Sequence, residues 1–167
     1  RARYSGIVVG RTRARLRRWL RLQRWAGLRD FKLKVAVDGW EERLAWAADL
    51  LRPTPGRITL RVDANGGWTL AEATAALPLL EQHGVCVLEQ PLPDAHDDDL
   101  PRLAERTTCA LMADESLLTV EDARRLIDAG GVRVFNVRIA KHGGLLPALR
   151  IAGMALAAGL DVQLGCL

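Results

Sequence analysis

Lysine is rare in this chain, and its lysines lie where strands are predicted to end. Of 24 lysines and arginines, only Lys32, Lys34 and Lys141 are lysines. Arginine stays protonated near neutral pH, whereas a lysine can lose its proton when it is buried near other positive charges. These three lysines are therefore candidates for acid and base chemistry.

Three carboxylates lie between these lysines at a regular spacing. Asp63 in RVDANGGW, Glu89 in VLEQPL and Asp114 in MADES follow one another at intervals of 25 to 29 residues, as do the flanking lysines. One functional residue per strand and helix is typical of a (β/α)8 barrel, whose site lies at the carboxyl ends of its strands. Three carboxylates at one mouth repel each other unless a cation separates them, and an all-oxygen set suits Mg²⁺. We predict that their oxygens converge on one Mg²⁺ ion; the alternative for any single one is a solvated loop end or a helix cap.

The composition bounds the class of protein. The 167 residues are 49% apolar, which suits one globular body, so residues 1–167 are expected to form a single domain. No apolar run is long enough to span a bilayer, and no signal-peptide pattern is visible. Cys86, Cys109 and Cys166 show no Cys-x-x-Cys spacing, so we expect buried free thiols in a cytoplasmic protein.

Positive charge is concentrated near the start of the chain. Residues 1–30 carry a net charge of +9, against −5 for the rest. The segment RTRARLRRWLRLQRW has the charge of an RNA-binding or membrane-surface helix. However, Leu16 and Leu20 recur at helical spacing, which makes the arginines a solvent face, and no base-reading motif accompanies them. We therefore expect neither a nucleic acid nor a membrane as partner.

Strand-like runs alternate with amphipathic helical segments. Residue pairs with capping-box spacing mark helix starts at Asp38 with Glu41, Thr69 with Glu72, and Thr119 with Asp122, and Gly130–Gly131 marks a helix end. The predicted strands are Tyr4–Val9, Phe31–Val37, Arg57–Asp63, Val85–Glu89, Cys109–Ala113, Val132–Ile139 and Leu160–Leu164.

Repeated β-α units without hairpins predict a parallel sheet with crossover helices. Seven strands favour an α/β fold of the (β/α)8 TIM-barrel type, truncated before its eighth strand, with an open seam between the first and seventh strands. A doubly wound open sheet is the alternative, but no G-x-G-x-x-G sequence follows any strand.

Strand parity orients the site residues. In ITLRVDAN the apolar residues alternate with Arg61 and Asp63, and we assign the polar face to the barrel interior. In VRVFNVRIAK the same rule points Asn136 and Arg138 inward, and Lys141 lies past the end of the strand. Arg138 either pairs with a carboxylate or helps to hold substrate.

Several other residues are expected to be structural. The histidines show no repeating ligand spacing, so a zinc site at His83, His96 or His142 is not favoured. Asp97–Asp99 are expected to form a solvated loop or a helix start. The tryptophans at positions 19, 25, 40 and 46 are expected to pack helices against the barrel.

Five motifs together carry a family resemblance over essentially the whole chain. FKLKV, RVDANGGWT, LEQPL, ADESL and NVRIAKHGGL, in this order and spacing, resemble the barrel domain of the enolase superfamily, in particular its muconate-lactonizing subgroup. That subgroup includes muconate cycloisomerases, o-succinylbenzoate synthases, N-acylamino acid racemases and dipeptide epimerases. The family's N-terminal capping domain and eighth strand are expected to be absent from this chain.

The resemblance implies a role for each candidate residue. Asp63, Glu89 and Asp114 are implied as Mg²⁺ ligands, with Lys34 and Lys141 as acid/base residues on opposite sides of the substrate. Lys32 is implied as an electrostatic helper, and Asn65 and Glu115 as supports of the site. The resemblance is compatible with a homo-oligomeric complete enzyme.

The implied reaction removes a proton α to the carboxylate of a small molecule and stabilises the resulting enediolate. A racemase or epimerase of an amino-acid derivative or dipeptide is the simplest use of two opposed lysines. A muconate-type cycloisomerase or an o-succinylbenzoate synthase-type syn-dehydratase is the alternative among Mg²⁺ enzymes, and a Schiff-base lysine barrel is a more distant one. An inactive fragment or a basic binding module is the alternative of another class.

Overall fold

The computed structural model describes residues 4–52 and 58–165. Strands and helices alternate along these residues, with one 3-10 helix at Asp94–Asp99. The strands are β1 Ser5–Val8, β2 Asp30–Lys34, β3 Thr59–Asp63, β4 Val85–Glu89, β5 Ala110–Ala113, β6 Val132–Val137 and β7 Asp161–Leu164. The helices are α1 Arg13–Trp25, α2 Trp40–Leu51, α3 Leu70–Gln82, α4 Leu100–Ala104, α5 Val120–Ala129 and α6 Leu145–Ala157.

The strands form one parallel sheet in sequential order from β1 to β7. A doubly wound sheet reverses its strand order at a switch point, so the sequential order excludes that alternative. The sheet is curled, since the Arg61 side chain on β3 donates a hydrogen bond across the interior to Gln163 on β7. Strands four apart in sequence therefore face each other. In the described sheet β1 and β7 are the edge strands, which agrees with the expected open seam.

The core lies between the outer face of the curled sheet and the helices. Phe31 on β2, Val62 on β3, Leu88 on β4 and Phe135 on β6 are fully buried there. Apolar residues on this face alternate with the inward polar ones, as strand parity predicted. The hydrophobic effect of this burial therefore fixes the direction in which Asp63 and its counterparts point.

Two of the three predicted capping boxes are confirmed. Thr69 and Thr119 each accept from the backbone amide three residues on, and Glu72 and Asp122 bond back to the cap. The prediction for Asp38 is wrong, because Gly39 is the N-cap of α2 and makes no side-chain cap hydrogen bond. Gly39 has φ +67°, a left-handed conformation that glycine adopts without steric cost.

The basic segment is the amphipathic helix α1. Leu16 and Leu20 are buried, and Arg15, Arg17, Arg18 and Arg21 are exposed, as predicted. The two tryptophans of α1 do not pack under the barrel as expected: Trp25 is 86% exposed and Trp19 is 42% exposed. Trp40 and Trp46, in contrast, pack against the core. The exposed and the packed tryptophans differ because they lie at different angular positions on their helices.

The expectation of buried thiols is met at Cys109 but is wrong at Cys86. Cys109 is buried and donates to the carbonyl of Val85, and burial raises the pKa of its thiol. Cys86 is exposed. Cys166 lies outside the described residues. Within the described ranges, none of the helices is long and apolar enough to cross a bilayer.

Candidate active site

Asp63 and Glu89 are adjacent at the carboxyl ends of β3 and β4, where they are paired in register. Both are buried, with 1% and 0% of their surface exposed. The Lys32 ammonium, from β2, lies between them, 2.8 Å from Asp63 Oδ2 and 3.2 Å from both Glu89 oxygens. Asn136 on β6 donates from Nδ2 to Glu89 Oε1 at 2.8 Å. One cation therefore bridges two buried acids.

Two buried carboxylates contact the Lys32 ammonium, and Arg61 adds a second positive charge near Glu89. Burial raises the pKa of Glu89, and the charge of Asp63 raises it further, while Lys32 opposes both in part. Burial alone disfavours the Lys32 ammonium, but the charges of Glu89 and Asp63 outweigh that cost and raise the pKa of Lys32. The two acids therefore stabilise the charged form of Lys32.

Asp114 follows β5 directly and is held by two cations from the β6 side. Arg138 Nη2 and Lys141 Nζ each lie 2.6 Å from Asp114 Oδ1. Lys141 Nζ also donates to the Asp114 carbonyl at 2.6 Å and to the Asn136 carbonyl at 3.2 Å, so all three of its hydrogens have acceptors. Of the two roles considered for Arg138, the structure shows carboxylate pairing.

Lys141 lies past the end of β6, in the turn before α6, as parity predicted. Burial lowers the pKa of Lys141, and the hydrogen bond and charge of Asp114 oppose this shift without cancelling it. A lysine with a lowered pKa provides its neutral, basic form at lower pH than a free lysine does.

Lys34 is the last residue of β2 and pairs in register with Asp63. It shares the inward face with Lys32, two residues earlier, but its side chain is exposed. Among the residues that the structure describes, Lys34 has no hydrogen-bond or ion-pair partner. Because β2 and β6 are four strands apart in a curled sheet, Lys34 and Lys141 lie on opposite walls of this sheet, that is, on opposite sides of its interior.

The predicted supports Asn65 and Glu115 meet beside the carboxylates. Asn65 has φ +47°; its backbone amide donates to Asp63 Oδ1 and its side chain to Glu115 Oε1, each at 3.0 Å. Glu115 Oε2 is buried and has no partner among the described residues. Asn65 thus links the end of β3 to the end of β5.

Similarity to known proteins identifies the family of this chain. The family described as enolase C-terminal domain-like matches residues 14–167. The chain belongs to this family. Muconate cycloisomerase 1 of Pseudomonas putida is 34% identical over 137 residues, which is 82% of this chain and 36% of that relative.

Solved structures of the enolase family confirm the predicted barrel architecture. A dipeptide epimerase from Enterococcus faecalis V583 matches 99% of this chain and 48% of that chain, with a TM-score of 0.89 at 26% identity. A dipeptide epimerase from Cytophaga hutchinsonii, complexed with Mg and the dipeptide D-Ala-L-Val, matches 99% of this chain and 45% of that one, with a TM-score of 0.85 at 29% identity. The chain therefore spans about a third to a half of these relatives.

The three carboxylates fit a hard divalent cation by the chemistry of their donor atoms. Asp63, Glu89 and Asp114 are buried at the ends of three consecutive strands, and none faces the helices. Their arrangement differs from the predicted convergence, since in residues 4–52 and 58–165 no group of three acidic, histidine or cysteine side chains is arranged to hold an ion. Lysine and arginine groups contact the carboxylate oxygens instead. The role of the three acids as metal ligands stays a prediction.

The histidines lie apart from the carboxylate cluster. His83 caps the end of α3, and His96 is exposed in the 3-10 helix. His142 is buried beside Lys141, and its Nδ1 lies 2.9 Å from the Leu118 carbonyl. Burial lowers the pKa of His142, so its neutral form is favoured.

Two residues of the enolase-type site had no role in the sequence-based prediction. Parity placed Asn136 inward, but its bond to Glu89 depends on the distance between β4 and β6. Gln90 was part of LEQPL without an assigned function. The sequence signal for Gln90 was its position between a strand-end acid and a proline. The structure shows that this amide is buried and that its φ is +38°.

Proposed function

We propose that this protein uses Mg²⁺ to abstract a proton α to the carboxylate of a small molecule, and that it racemises or epimerises an amino-acid derivative or dipeptide. One observation carries the proposal. Lys34 and Lys141 lie on opposite walls of the curled sheet, with Asp63, Glu89 and Asp114 on the three strand ends between them. A substrate seated over the carboxylates thus has an amine on each side.

The chemistry needs a neutral base and positive charge near the substrate carboxylate. A bound Mg²⁺ ion, held by Asp63, Glu89 and Asp114, would supply charge that stabilises the second negative charge developing on that carboxylate. Lys32, already between two of these acids, adds an ammonium at the same place. General acid–base groups of this kind contribute about 10²–10⁴-fold to a rate.

The two lysines have different surroundings, which suits an acid and a base. Lys141 donates to three oxygens, which fix the orientation of its amine, and burial lowers its pKa. Lys34 is exposed and can turn towards a substrate without breaking a described contact. Removal of a proton at one wall and delivery at the other inverts a stereocentre.

A muconate-type cycloisomerase or a syn-dehydratase is the second candidate. Similarity to muconate cycloisomerase 1 of Pseudomonas putida, at 34% identity, favours the former. Such a reaction uses one lysine on the proton and the other as a fixed positive charge. Both candidates share the carboxylates, and only the fate of the α-proton separates them.

The decisive experiment follows α-proton exchange in deuterium oxide, with candidate dipeptides, in the protein at its full natural length. Lys34→Ala and Lys141→Ala should each lose epimerisation by about 10²–10⁴-fold, because each retains only one acid/base group. Each variant should still exchange the α-proton of one enantiomer, and the two variants should act on opposite enantiomers. Arg133→Ala, which removes an exposed cation from the start of β6, is the control.

Three outcomes test the proposed function and its two candidate reactions. Full turnover in either alanine variant contradicts the two-base mechanism. Turnover of a muconate-like substrate by the wild type without racemisation of any α-carbon favours the cycloisomerase. Wild-type activity that survives chelation with EDTA contradicts the need for a divalent cation.

A further inference from the structure

Gln90, directly after Glu89, is a buried amide whose hydrogen-bonding capacity is fully used. Only 1% of its surface is exposed. Its Oε1 accepts from the backbone amides of Asp114 at 2.9 Å and Ser116 at 3.2 Å. Its Nε2 donates to the Leu92 carbonyl at 2.8 Å and to Ser116 Oγ at 2.6 Å. Two donors and two acceptors are thus satisfied, and the reversed amide orientation would break both amide bonds to the Asp114 loop.

The backbone of Gln90 connects the end of β4 to β5 and to the loop after β3. Its amide donates to the Met112 carbonyl on β5, and its carbonyl accepts from Gly66, which lies in the loop after Asp63, each at 2.8 Å. Gln90 therefore contacts the chain next to each of the three carboxylates. Its φ of +38° is uncommon for a residue with a side chain, and the surrounding bonds hold it there.

A buried polar network extends this connection outwards. Ser116 Oγ donates to Asp97 Oδ1 at 2.5 Å, and Asp97 Oδ2 accepts from Arg125 Nη1 on α5 at 2.8 Å. Asp97–Asp99 were expected to form a solvated loop or a helix start. They lead into α4, with Asp99 as its N-cap, but Asp97 is only 4% exposed. Since Ser116 donates its hydrogen to Asp97, it can only accept from Gln90, which fixes the direction of the network.

We propose that Gln90 is a positioning residue that holds the strand-end loops of Asp63, Glu89 and Asp114 in one arrangement, and so sets the affinity of these carboxylates for a divalent cation. The affinity part of this inference rests on the proposed function. No side chain other than a carboxamide of this length both donates twice and accepts twice here. Glutamate retains the acceptors but loses both donors, and methionine retains the volume but loses all four bonds.

The test compares Gln90→Met and Gln90→Glu with the wild type at full natural length. Isothermal calorimetry with Mg²⁺ alone should show affinity about 10–100-fold weaker in both variants, the usual effect of losing a group that orients metal ligands. Amide hydrogen exchange, measured without metal, should become faster at Asp114 and Ser116. Ser116→Ala, which removes one of the four bonds, should give a smaller effect in the same direction.

Two controls separate positioning from general destabilisation. Gln82→Met changes an exposed glutamine at the end of α3 and should leave affinity and exchange unchanged. Leu80→Ala opens the core under the same helix, where Leu80 is fully buried, and should lower stability without weakening Mg²⁺ binding in the folded protein. Unchanged exchange at Asp114 and Ser116 in Gln90→Met overturns the positioning role, as does an equal loss of affinity in Leu80→Ala.

The two proposals fail in different ways. Absence of Mg²⁺ binding by the wild type contradicts the proposed function, and faster exchange in Gln90→Met would then still support the holding of the loops. Wild-type binding with an unchanged Mg²⁺ affinity in both Gln90 variants contradicts the inference about Gln90 and leaves the proposed function standing.

Discussion

Replacement of Lys32 by methionine should destabilise the fold strongly, although the change keeps the length and the apolar stem of the side chain. The Lys32 ammonium lies between two carboxylates that are 2% and 0% exposed in their side chains, while its own side chain is 20% exposed. Removing one partner of a buried ion pair leaves an uncompensated charge and costs about 3–5 kcal/mol. We expect a loss of that size in the free energy of unfolding at pH 7 without metal.

The loss should depend on pH in a defined direction. Glutamate titrates at about 4.3 in an unfolded chain, and burial, followed by the charge of Asp63, raises the pKa of Glu89 in the folded state. Charged Glu89 therefore costs stability above its folded pKa, and this cost disappears as pH falls below the unfolded value. Without Lys32 the cost is larger, so the difference between Lys32→Met and wild type should shrink as pH falls from 7 towards the unfolded value of about 4.3.

The contribution of Lys32 itself changes in a different pH range. The charges of Glu89 and Asp63 outweigh burial and raise the pKa of Lys32, so its stabilising effect is complete below about 10.4, the unfolded value. It is lost only as pH rises through the folded pKa. The full effect is therefore present at pH 7, where the experiment has its greatest contrast.

Urea unfolding followed by tryptophan fluorescence measures the difference, in the protein at its full natural length. Lys34→Met is the matched control from the same strand; since Lys34 is exposed and has no partner among the described residues, it should change stability by less than about 0.5 kcal/mol. Equal stability of Lys32→Met and wild type at pH 7 would refute the bridging role. A loss that is the same at pH 7 and at about pH 4.3 would refute the electrostatic account of it.

Three further predictions test the cap, the backbone and the lysine pair. Thr119→Ala, which removes the N-cap of α5, should lower the free energy of unfolding by about 1 kcal/mol in urea titrations. Gly159→Ala should cost about 1–2 kcal/mol from its positive φ alone, whereas Gly131→Ala should cost more by the same assay, because a Cβ there would lie 2.7 Å from Pro101 Cα. NMR titration of the lysine ε-carbons should show Lys141 deprotonating at lower pH than Lys32, since burial lowers the pKa of Lys141 while neighbouring acids raise that of Lys32.

Local pattern in the sequence predicted the strands and the direction of their side chains, although β2 ends at Lys34 rather than Val37 and β6 ends at Val137 rather than Ile139. Val85–Glu89 is a strand at the predicted residues. Apolar side chains that share the outward face of a strand must be buried under the helices, and this pattern is visible in the sequence. The same rule placed Asp63 inward and Lys141 past the end of β6. Thr69 and Thr119 were predictable as caps, since a cap involves only residues within one helical turn.

Tertiary structure alone decided which charged groups meet. Parity gives the direction of Arg138 but not its partner. The partner is Asp114, directly after β5, and its distance depends on the curl of the sheet. The bridge from Lys32 to Asp63 and Glu89 joins residues 31 and 57 positions apart, and the Gln90 network joins three strand-end loops. Such contacts depend on distances between strands that are remote in sequence. The sequence pattern therefore determined where the strands lie and which residues lie near their ends. The packed sheet determined which charged groups pair.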